Sequence, residues 1–432
     1  MPAPSPLDWL LGFSDPLRGV GWNPRASRSA RWRLGRIRRL LGLLGDPDHQ
    51  LDCVLIAGTN GKGSTAACLA SILHAAGIPA GLFTSPHLQE ARERVRIDGV
   101  LLDQAAFDAR IRALRSSVAA LRRQAPTAGE PTAFELILAL ALRTFADADC
   151  RVAILEVGLG GAQDATNAVT PALSIITSIG YDHTAILGHT LGAIATEKAG
   201  ILRRGRPALI GEQRPAAALA LRRACVKDGA SCRVVGPRTL ALPRLHGAHQ
   251  RQNAALAASA AQTLGVTPAA IARGLEAAWW PGRFELVAEA PAIVLDGAHN
   301  GSSAEALVAA LRERFSRRPI HFIVGLNADK DARATLRPLL AAADRVTATA
   351  SSAPRARASE DLARACRSLG AVPVDSAADV TQALAAATKG ARADEVVCVT
   401  GSLALVGAAR DALGLRPPER LWPDRGDGAA SV

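Results

Sequence analysis

The chain has 432 residues, 49% hydrophobic and 21% charged. That balance excludes a disordered chain and gives enough length for two or three domains. The longest purely apolar candidate, residues 136–142, is stopped by Arg143, too short to cross a bilayer. The first residues lack a basic segment leading an apolar one, so a secretory leader is not expected and the cytoplasm is the expected compartment.

The net charge is +12, which suits either nucleic-acid binding or an enzyme with anionic substrates. Aromatic residues are only 3%, which argues against base-stacking platforms. The densest basic run, residues 25–39, holds seven arginines. Its Leu34, Ile37, Leu41 and Leu44 recur at helical spacing and predict an amphipathic helix with a solvated arginine face. Only five cations are lysines, at 62, 198, 227, 330 and 389. Lysine in so arginine-rich a chain points to places that need a primary amine. The seven cysteines are odd in number and form no C-x-x-C pair, so neither a disulfide framework nor a zinc cluster is expected.

In chain order, residues 51–57 predict a buried strand and 64–76 a helix ended by Gly77. Residues 80–84 predict a strand, 132–146 a long apolar helix, and 152–157 and 173–178 two more strands. Residues 191–202 predict a helix. The alternation indicates a mostly parallel sheet flanked by helices. Pro281 and Gly282 break the pattern, so a hinge is expected at 279–283. Beyond it, strands at 293–295, 320–324, 345–349 and 395–399, with a helix at 303–315, predict a smaller open α/β domain. The expected domains are 1–280 and 281–432. The tail 416–432, rich in proline, glycine and charge, is expected to be disordered.

The strand at 51–57 runs into Gly58-Thr59-Asn60-Gly61-Lys62-Gly63-Ser64-Thr65 and then a helix. Glycines let backbone N–H groups turn toward phosphate oxygens, and the helix N-terminus favours anions. Lys62 is placed for terminal phosphates and Ser64 for Mg²⁺. Gly63 stands between the lysine and the serine, which is not the spacing of ordinary GTPases or motor ATPases. Glu156 ends one apolar strand, and His183 follows another. Both lie at the sheet edge where open α/β folds bind ligands, and a charge there is costly unless paired or metal-bound.

The loop resembles that of the Mur ligase superfamily, in the form used by folylpolyglutamate and dihydrofolate synthases. Further motifs carry the resemblance along the chain. They include Thr84-Ser85-Pro86-His87-Leu88, Glu156-Val157-Gly158-Leu159-Gly160-Gly161, Asp164-Ala165-Thr166-Asn167, Asp182-His183-Thr184 and Glu197-Lys198-Ala199-Gly200. The second half adds Gln252-Asn253, Pro281-Gly282-Arg283-Phe284-Glu285, Asp296-Gly297-Ala298-His299-Asn300, Asp329-Lys330-Asp331 and Gly401-Ser402-Leu403.

The resemblance implies an α/β fold: an N-terminal P-loop ATPase domain like the Mur ligase central domain, and a smaller C-terminal Rossmann-like glutamate ligase domain. It implies ATP on Gly58, Thr59, Asn60, Gly61, Lys62, Gly63, Ser64, Asn253, Arg283, Asp296 and His299. Mg²⁺, two ions in all, falls on Ser64, Ser85, Glu156 and His183. Lys62, Lys198, His183 and Glu156 form the expected catalytic set, with Lys198 a candidate for carbamylation. The pterin side is expected at His87, Thr132, Phe134, Glu135, Gln163, Asp164 and Ala165. Glu135 is equally readable as a first-turn acid favoured by the helix dipole. Arg355 is a weaker candidate for a substrate carboxylate, and His189 is read as surface.

The implied reaction is ATP-dependent addition of L-glutamate to 7,8-dihydropteroate or a reduced folate through an acyl phosphate, by a monomer with no nucleic-acid or membrane partner. Ala162 and Gln163 stand where the family has arginine and leucine, which puts the pterin side in question. The alternatives are a folylpolyglutamate synthase alone, another Mur-type ligase, and, remotely, a nucleotide-dependent nucleic-acid binder.

Overall fold

Apart from its first residue, strand β1 (Asp52–Ala57) is wholly buried, and such a strand needs partners on both edges and helices on both faces. It has both in the computed structural model, which describes residues 4–15, 19, 21–27 and 29–423. The other strands of its sheet are β2 (Ala80–Phe83), β3 (Val95–Ile97), β4 (Val100–Leu101), β5 (Val152–Glu156), β6 (Leu173–Ile176), β7 (Pro207–Gly211) and β8 (Ser231–Val235). Their order is β4-β3-β2-β5-β1-β6-β7-β8. All neighbours are parallel except β2–β3 and β3–β4. Ile56 of β1 is level with Glu156 of β5 and Ile175 of β6, and Phe83 of β2 is level with Leu155. The loops after four strands therefore leave from one edge.

Side chains alternate along β1 between two cores. Leu55 joins Phe83, Phe134 and the helix Ala133–Asp147 on one face. Val54 and Ile56 join the helices Lys62–Ala75, Ala248–Thr263 and Pro268–Ala277 on the other. After Ala277 the chain enters a six-stranded sheet. It holds β9 (Glu285–Glu289), β10 (Ala292–Leu295), β11 (Ile320–Val324), β12 (Arg345–Ala348), β13 (Val374–Ser376) and β14 (Val396–Thr400), in the order β13-β12-β11-β14-β10-β9. Only β9 is antiparallel to its neighbour.

Several expectations need correction. The phosphate-loop helix starts at Lys62, because Gly61 with φ +86° already serves as its N-cap. The helix expected over 191–202 stops at Ala199. The arginine face of the helix Ala30–Leu43 is not wholly solvated. Arg36 is buried and holds Glu135 through two bonds of 2.8 and 2.9 Å. Arg38 holds Asp48 and Asp46. Five cysteines are buried and free, but Cys225 and Cys232 form a disulfide. The turn after the helix Pro215–Asp228 brings their Cα atoms to 6.1 Å, which a spacing of seven does not announce.

The tail expectation fails for residues 416–423; residues 424–432 lie outside the described residues. The segment leaves the second sheet's domain and returns to the first. Leu101 N–H donates to Glu419 O at 2.8 Å and Leu421 N–H to Gly99 O at 3.2 Å. Leu421 and Trp422 are 2% and 3% exposed and join the core beneath the phosphate-loop helix. A Cβ on Gly99 (φ +79°) would strike the Trp422 ring. Trp422→Ala should lower the unfolding free energy of the full chain by about 3–5 kcal/mol, read from the urea midpoint and slope.

Candidate active site

The loop after β1 is clamped to the segment after β6. Thr59 N–H donates to Ser178 O at 2.8 Å, Thr59 Oγ1 donates to Gly180 O at 3.1 Å, and Thr177 Oγ1 donates to Asn60 O at 2.8 Å. The Lys62 ammonium folds over this loop, 3.3 Å from both Gly58 O and Thr59 O. A side chain at Gly61 would collide with the Asn253 amide, which lies against the loop. A Cβ at Gly63 would come within 3.1 Å of Trp280 Nε1 and 3.6 Å of Glu156. The extra glycine thus leaves room for the Glu156 carboxylate beside the loop. Ser64 is buried in the first turn of the helix.

Glu156 is buried at the end of β5 and accepts one bond, from Ser85 N–H at 3.0 Å. Burial pushes its pKa up, opposed by the Lys62 charge and the Ser85 bond. Lys198 is 5% exposed and donates to Gly58 O at 2.7 Å. Burial, with the Lys62 charge nearby, lowers it to about 7. His183 takes a left-handed backbone (φ +49°), a strained conformation typical of functional positions. Burial and the Lys330 charge lower its pKa to about 4.

The two domains meet on the Asp182 carboxylate, which sequence reasoning quoted in a motif but gave no role. Lys330 Nζ lies 2.6 Å from it, Asn300 Nδ2 3.2 Å and His299 Nε2 3.3 Å. Burial opposes its ionisation. The His299 hydrogen bond and the charges of Lys330 and His299 outweigh that and hold its pKa well below the usual range. Lys330 also donates to His183 Nε2 at 3.4 Å. Beside this hub, Asn60 Nδ2 donates to Ser302 Oγ at 2.9 Å, and Asn300 Nδ2 to Asn60 Oδ1 at 3.0 Å. The scarcity of lysine was the available signal for Lys330.

Other predicted residues have internal tasks. Asp296 accepts from Phe284 N–H and Ala298 N–H, both at 2.8 Å, and fixes the turn that carries Arg283 and His299. Asp164 is an N-cap that accepts from Leu159 N–H and Thr166. Ala165 is buried behind it and Gln163 is exposed. Phe134 packs on Phe83, ring centroids 5.6 Å apart. Thr132 and Glu135 form a capping box, and Glu135 is saturated by Arg36. The polar side-chain atoms of these two are thus partnered inside the domain. Arg355 lies 3.9 Å from Asp329, and His189 is exposed.

His87 lines a cavity of about 30 Å³ between the domains, with Thr84, Trp280, Arg283 and Leu403. Arg94, unmarked in the sequence, is 3% exposed and donates from Nε to His87 Nδ1 at 3.0 Å. Burial, together with the Arg94 charge, lowers His87 to about 3. A larger cavity, about 900 Å³, lies between the helices Leu191–Ala199 and Pro215–Asp228 and holds none of the predicted site residues.

A phosphate loop, a buried acid and a second α/β domain closing on them define a Mur-type ligase. Residues 56–224 match the Mur ligase middle domain and 282–403 the Mur ligase glutamate ligase domain. The chain is 34% identical over 411 residues to the dihydrofolate synthase/folylpolyglutamate synthase of Bacillus subtilis, covering 88% of this chain and 94% of that one. It is 39% identical over 403 residues to a probable bifunctional folylpolyglutamate synthase/dihydropteroate synthase of Halobacterium salinarum, covering 86% of this chain and 48% of that relative, about half its length. The fold aligns with the bifunctional folylpolyglutamate synthase/dihydrofolate synthase of Yersinia pestis, solved with AMPPNP and a Mn ion. That alignment has a TM-score of 0.78 and 32% identity, over 88% of this chain and 93% of that one. The chain belongs to the dihydrofolate synthase/folylpolyglutamate synthase family.

Asp182→Asn strands the Lys330 ammonium at the domain interface. It should cost about 3–5 kcal/mol in urea unfolding. Adding Lys330→Met should recover most of that loss, since the pair then goes together.

Proposed function

We propose that this protein is an ATP-dependent amide ligase. It joins the amine of L-glutamate to the carboxylate of 7,8-dihydropteroate, forming dihydrofolate, and to the terminal carboxylate of reduced folates, forming folylpolyglutamate. The observation that carries this reading is convergence. The phosphate loop, Glu156, His183 and Lys198 share one sheet edge, and the second domain faces it with Arg283 and His299.

In this reading the acceptor carboxylate attacks the γ-phosphorus of ATP, the bridging P–O bond to ADP breaks, and an acyl phosphate forms. The neutral amine of glutamate then attacks the acyl carbon and phosphate leaves. Lys62 and Arg283 offset the charge on the transferring phosphoryl group. The domain contact around Asp182 keeps bulk water from an intermediate that would otherwise hydrolyse. A cation load of +12 matches substrates that are all anions and gain a charge with each glutamate.

The residues present fit a divalent cation. Glu156 is a buried carboxylate with one hydrogen bond, and its spare lone pairs suit a hard ion. Ser64, Ser85 and His183 complete the proposed donor set for two Mg²⁺, and of the four His183 already accepts from Lys330. Bound Mg²⁺ would neutralise phosphate charge. Lys198 is read as a carbamate that would add an anionic oxygen to this set. A buried amine with a pKa of about 7 is substantially neutral at physiological pH, and only the neutral amine takes up CO₂. Both faces of the site come from one chain, which supports a monomer, and the substrates suit the cytoplasm.

A folylpolyglutamate synthase without the first activity is the second reading. Ala162 and Gln163 favour it: Ala162 has only backbone groups, its N–H given to Glu197 O at 2.9 Å and its C=O accepting from Asn167 Nδ2 at 3.1 Å, and Gln163 is exposed.

ADP release with Mg²⁺, ATP and L-glutamate should be stimulated by both dihydropteroate and tetrahydrofolate, and Glu156→Gln should abolish both. Tetrahydrofolate alone would select the second reading. Stimulation by neither, in protein that binds ATP, would end the folate assignment. After ¹³C-bicarbonate labelling, a carbamate resonance should grow from pH 6 to pH 8, as the Lys198 amine loses its proton. It should be absent in Lys198→Arg.

A further inference from the structure

His87 has an unusual neighbour. The Arg94 guanidinium donates its Nε–H to His87 Nδ1 at 3.0 Å, so that ring nitrogen presents a lone pair and the ring proton sits on Nε2. Nε2 has no hydrogen bond among the described residues, while the ring lines the small cavity between the domains. Among the described residues no carboxylate pairs directly with Arg94, although the charges of Glu156 and Glu93 act on it, and its Nη1 is buried without an acceptor. A buried cation is costly, and here its one side-chain bond goes to orienting a histidine.

The cavity admits an oxygen atom: its volume, about 30 Å³, exceeds the roughly 10–15 Å³ that one water-sized group needs. Thr84, Trp280 and Arg283 line it beside His87. Trp280 Nε1 stands next to Gly63, in the space that also borders Glu156, so the cavity adjoins the phosphate loop. Glu93 also lines it, but its two carboxylate oxygens accept from the Leu88, Gln89 and Glu90 N–H groups, each at 2.9 Å. Arg96, at the same wall, adds positive charge. Along the sheet edge the order is phosphate loop after β1, Glu156 after β5, His87 after β2 and Arg94 at β3. The cavity thus lies beyond Glu156 from the phosphate loop, on the side left for the acceptor.

We infer that His87 Nε2–H, with Arg283, forms an oxyanion site for the second half-reaction, and that Arg94 is the positioning residue that fixes the donor tautomer. This rests on the ligase reading above. As the glutamate amine bonds to the acyl carbon, the C=O π pair moves onto oxygen. That oxyanion sits in the cavity until the pair returns, the C–O bond to phosphate breaks with its electrons on phosphate, and the nitrogen gives its proton to that departing phosphate. A fixed neutral donor stabilises this charge and cannot act as a competing acid.

The test is the ratio of ADP formed to amide formed, with saturating ATP, tetrahydrofolate and glutamate. Wild type should give a ratio near one; absence of wild-type turnover with any folate would instead be a failure of the ligase reading. His87→Ala should lower amide formation about 100-fold, bind ATP within about twofold of wild type, and raise the ratio as stranded acyl phosphate hydrolyses. His87→Gln, whose amide N–H₂ reaches the Nε2 position, should recover coupling, and His87→Asn should not. Arg94→Met should raise the ratio in the same direction. A coupled His87→Ala enzyme, with or without a raised KM for the folate, would overturn the assignment, as would equal coupling in the Gln and Asn variants. If His87→Ala does not fold, the Gln–Asn comparison decides alone.

Discussion

The buried carboxylate of Asp182 is the constraint on which the molecule's working arrangement depends. It is made in one domain and neutralised largely by the other, through Lys330, Asn300 and His299. A carboxylate so enclosed cannot remain charged without those partners. The two domains therefore come together around a charge that neither half satisfies alone. The phosphate loop is drawn into the same contact, because Asn60 shares its amide with Asn300 and Ser302. Phosphate loop and domain interface are one hydrogen-bonded structure, so the loop and the second domain cannot shift independently.

A second set of contacts fixes the opposite end of the interface. Gln89, just past the Thr84–Leu88 motif, accepts from Arg410 Nε and donates to Asp411 and Leu415 O. Arg410 in turn is buried against Glu285 at the start of β9. The motif that carries Ser85 and His87 is thus held between the first sheet and the last helix of the second domain. Its position is set by both.

Much of this was legible in the sequence, for physical reasons that differ by residue. The phosphate loop was plain, because a glycine-rich turn between a buried strand and a helix has few other uses. Glu156 was plain because a charge ending an apolar strand is expensive. The partners of those charges were not. Nothing local in the sequence ties Asp182 to Lys330, or Glu135 to Arg36, since ion pairs across 148 and 99 residues are set by topology. Arg94 escaped for the same reason: among 46 arginines, a buried one looks like any other until its neighbours are known. Glu135 and Thr132 show the same limit: a helix-capping pair and a substrate contact use the same residue types, and the capping bonds and the Arg36 pair became visible only in the packing. The tail was misread because composition reports mean polarity, whereas two buried side chains, Leu421 and Trp422, with a few backbone bonds hold residues 416–423.

That returning tail sets the mechanics of the whole chain. The second domain leaves the first through residues 278–284 and is fastened to it again by residues 416–423. A body joined at one point can swivel in any direction; joined at two, it turns about the line between them. Any rotation of one domain against the other is thereby confined to a single axis, and the Lys330–Asp182 contact lies on the path of that rotation. The fastening that sets this axis is itself anchored in the first domain's core, through Leu421 and Trp422.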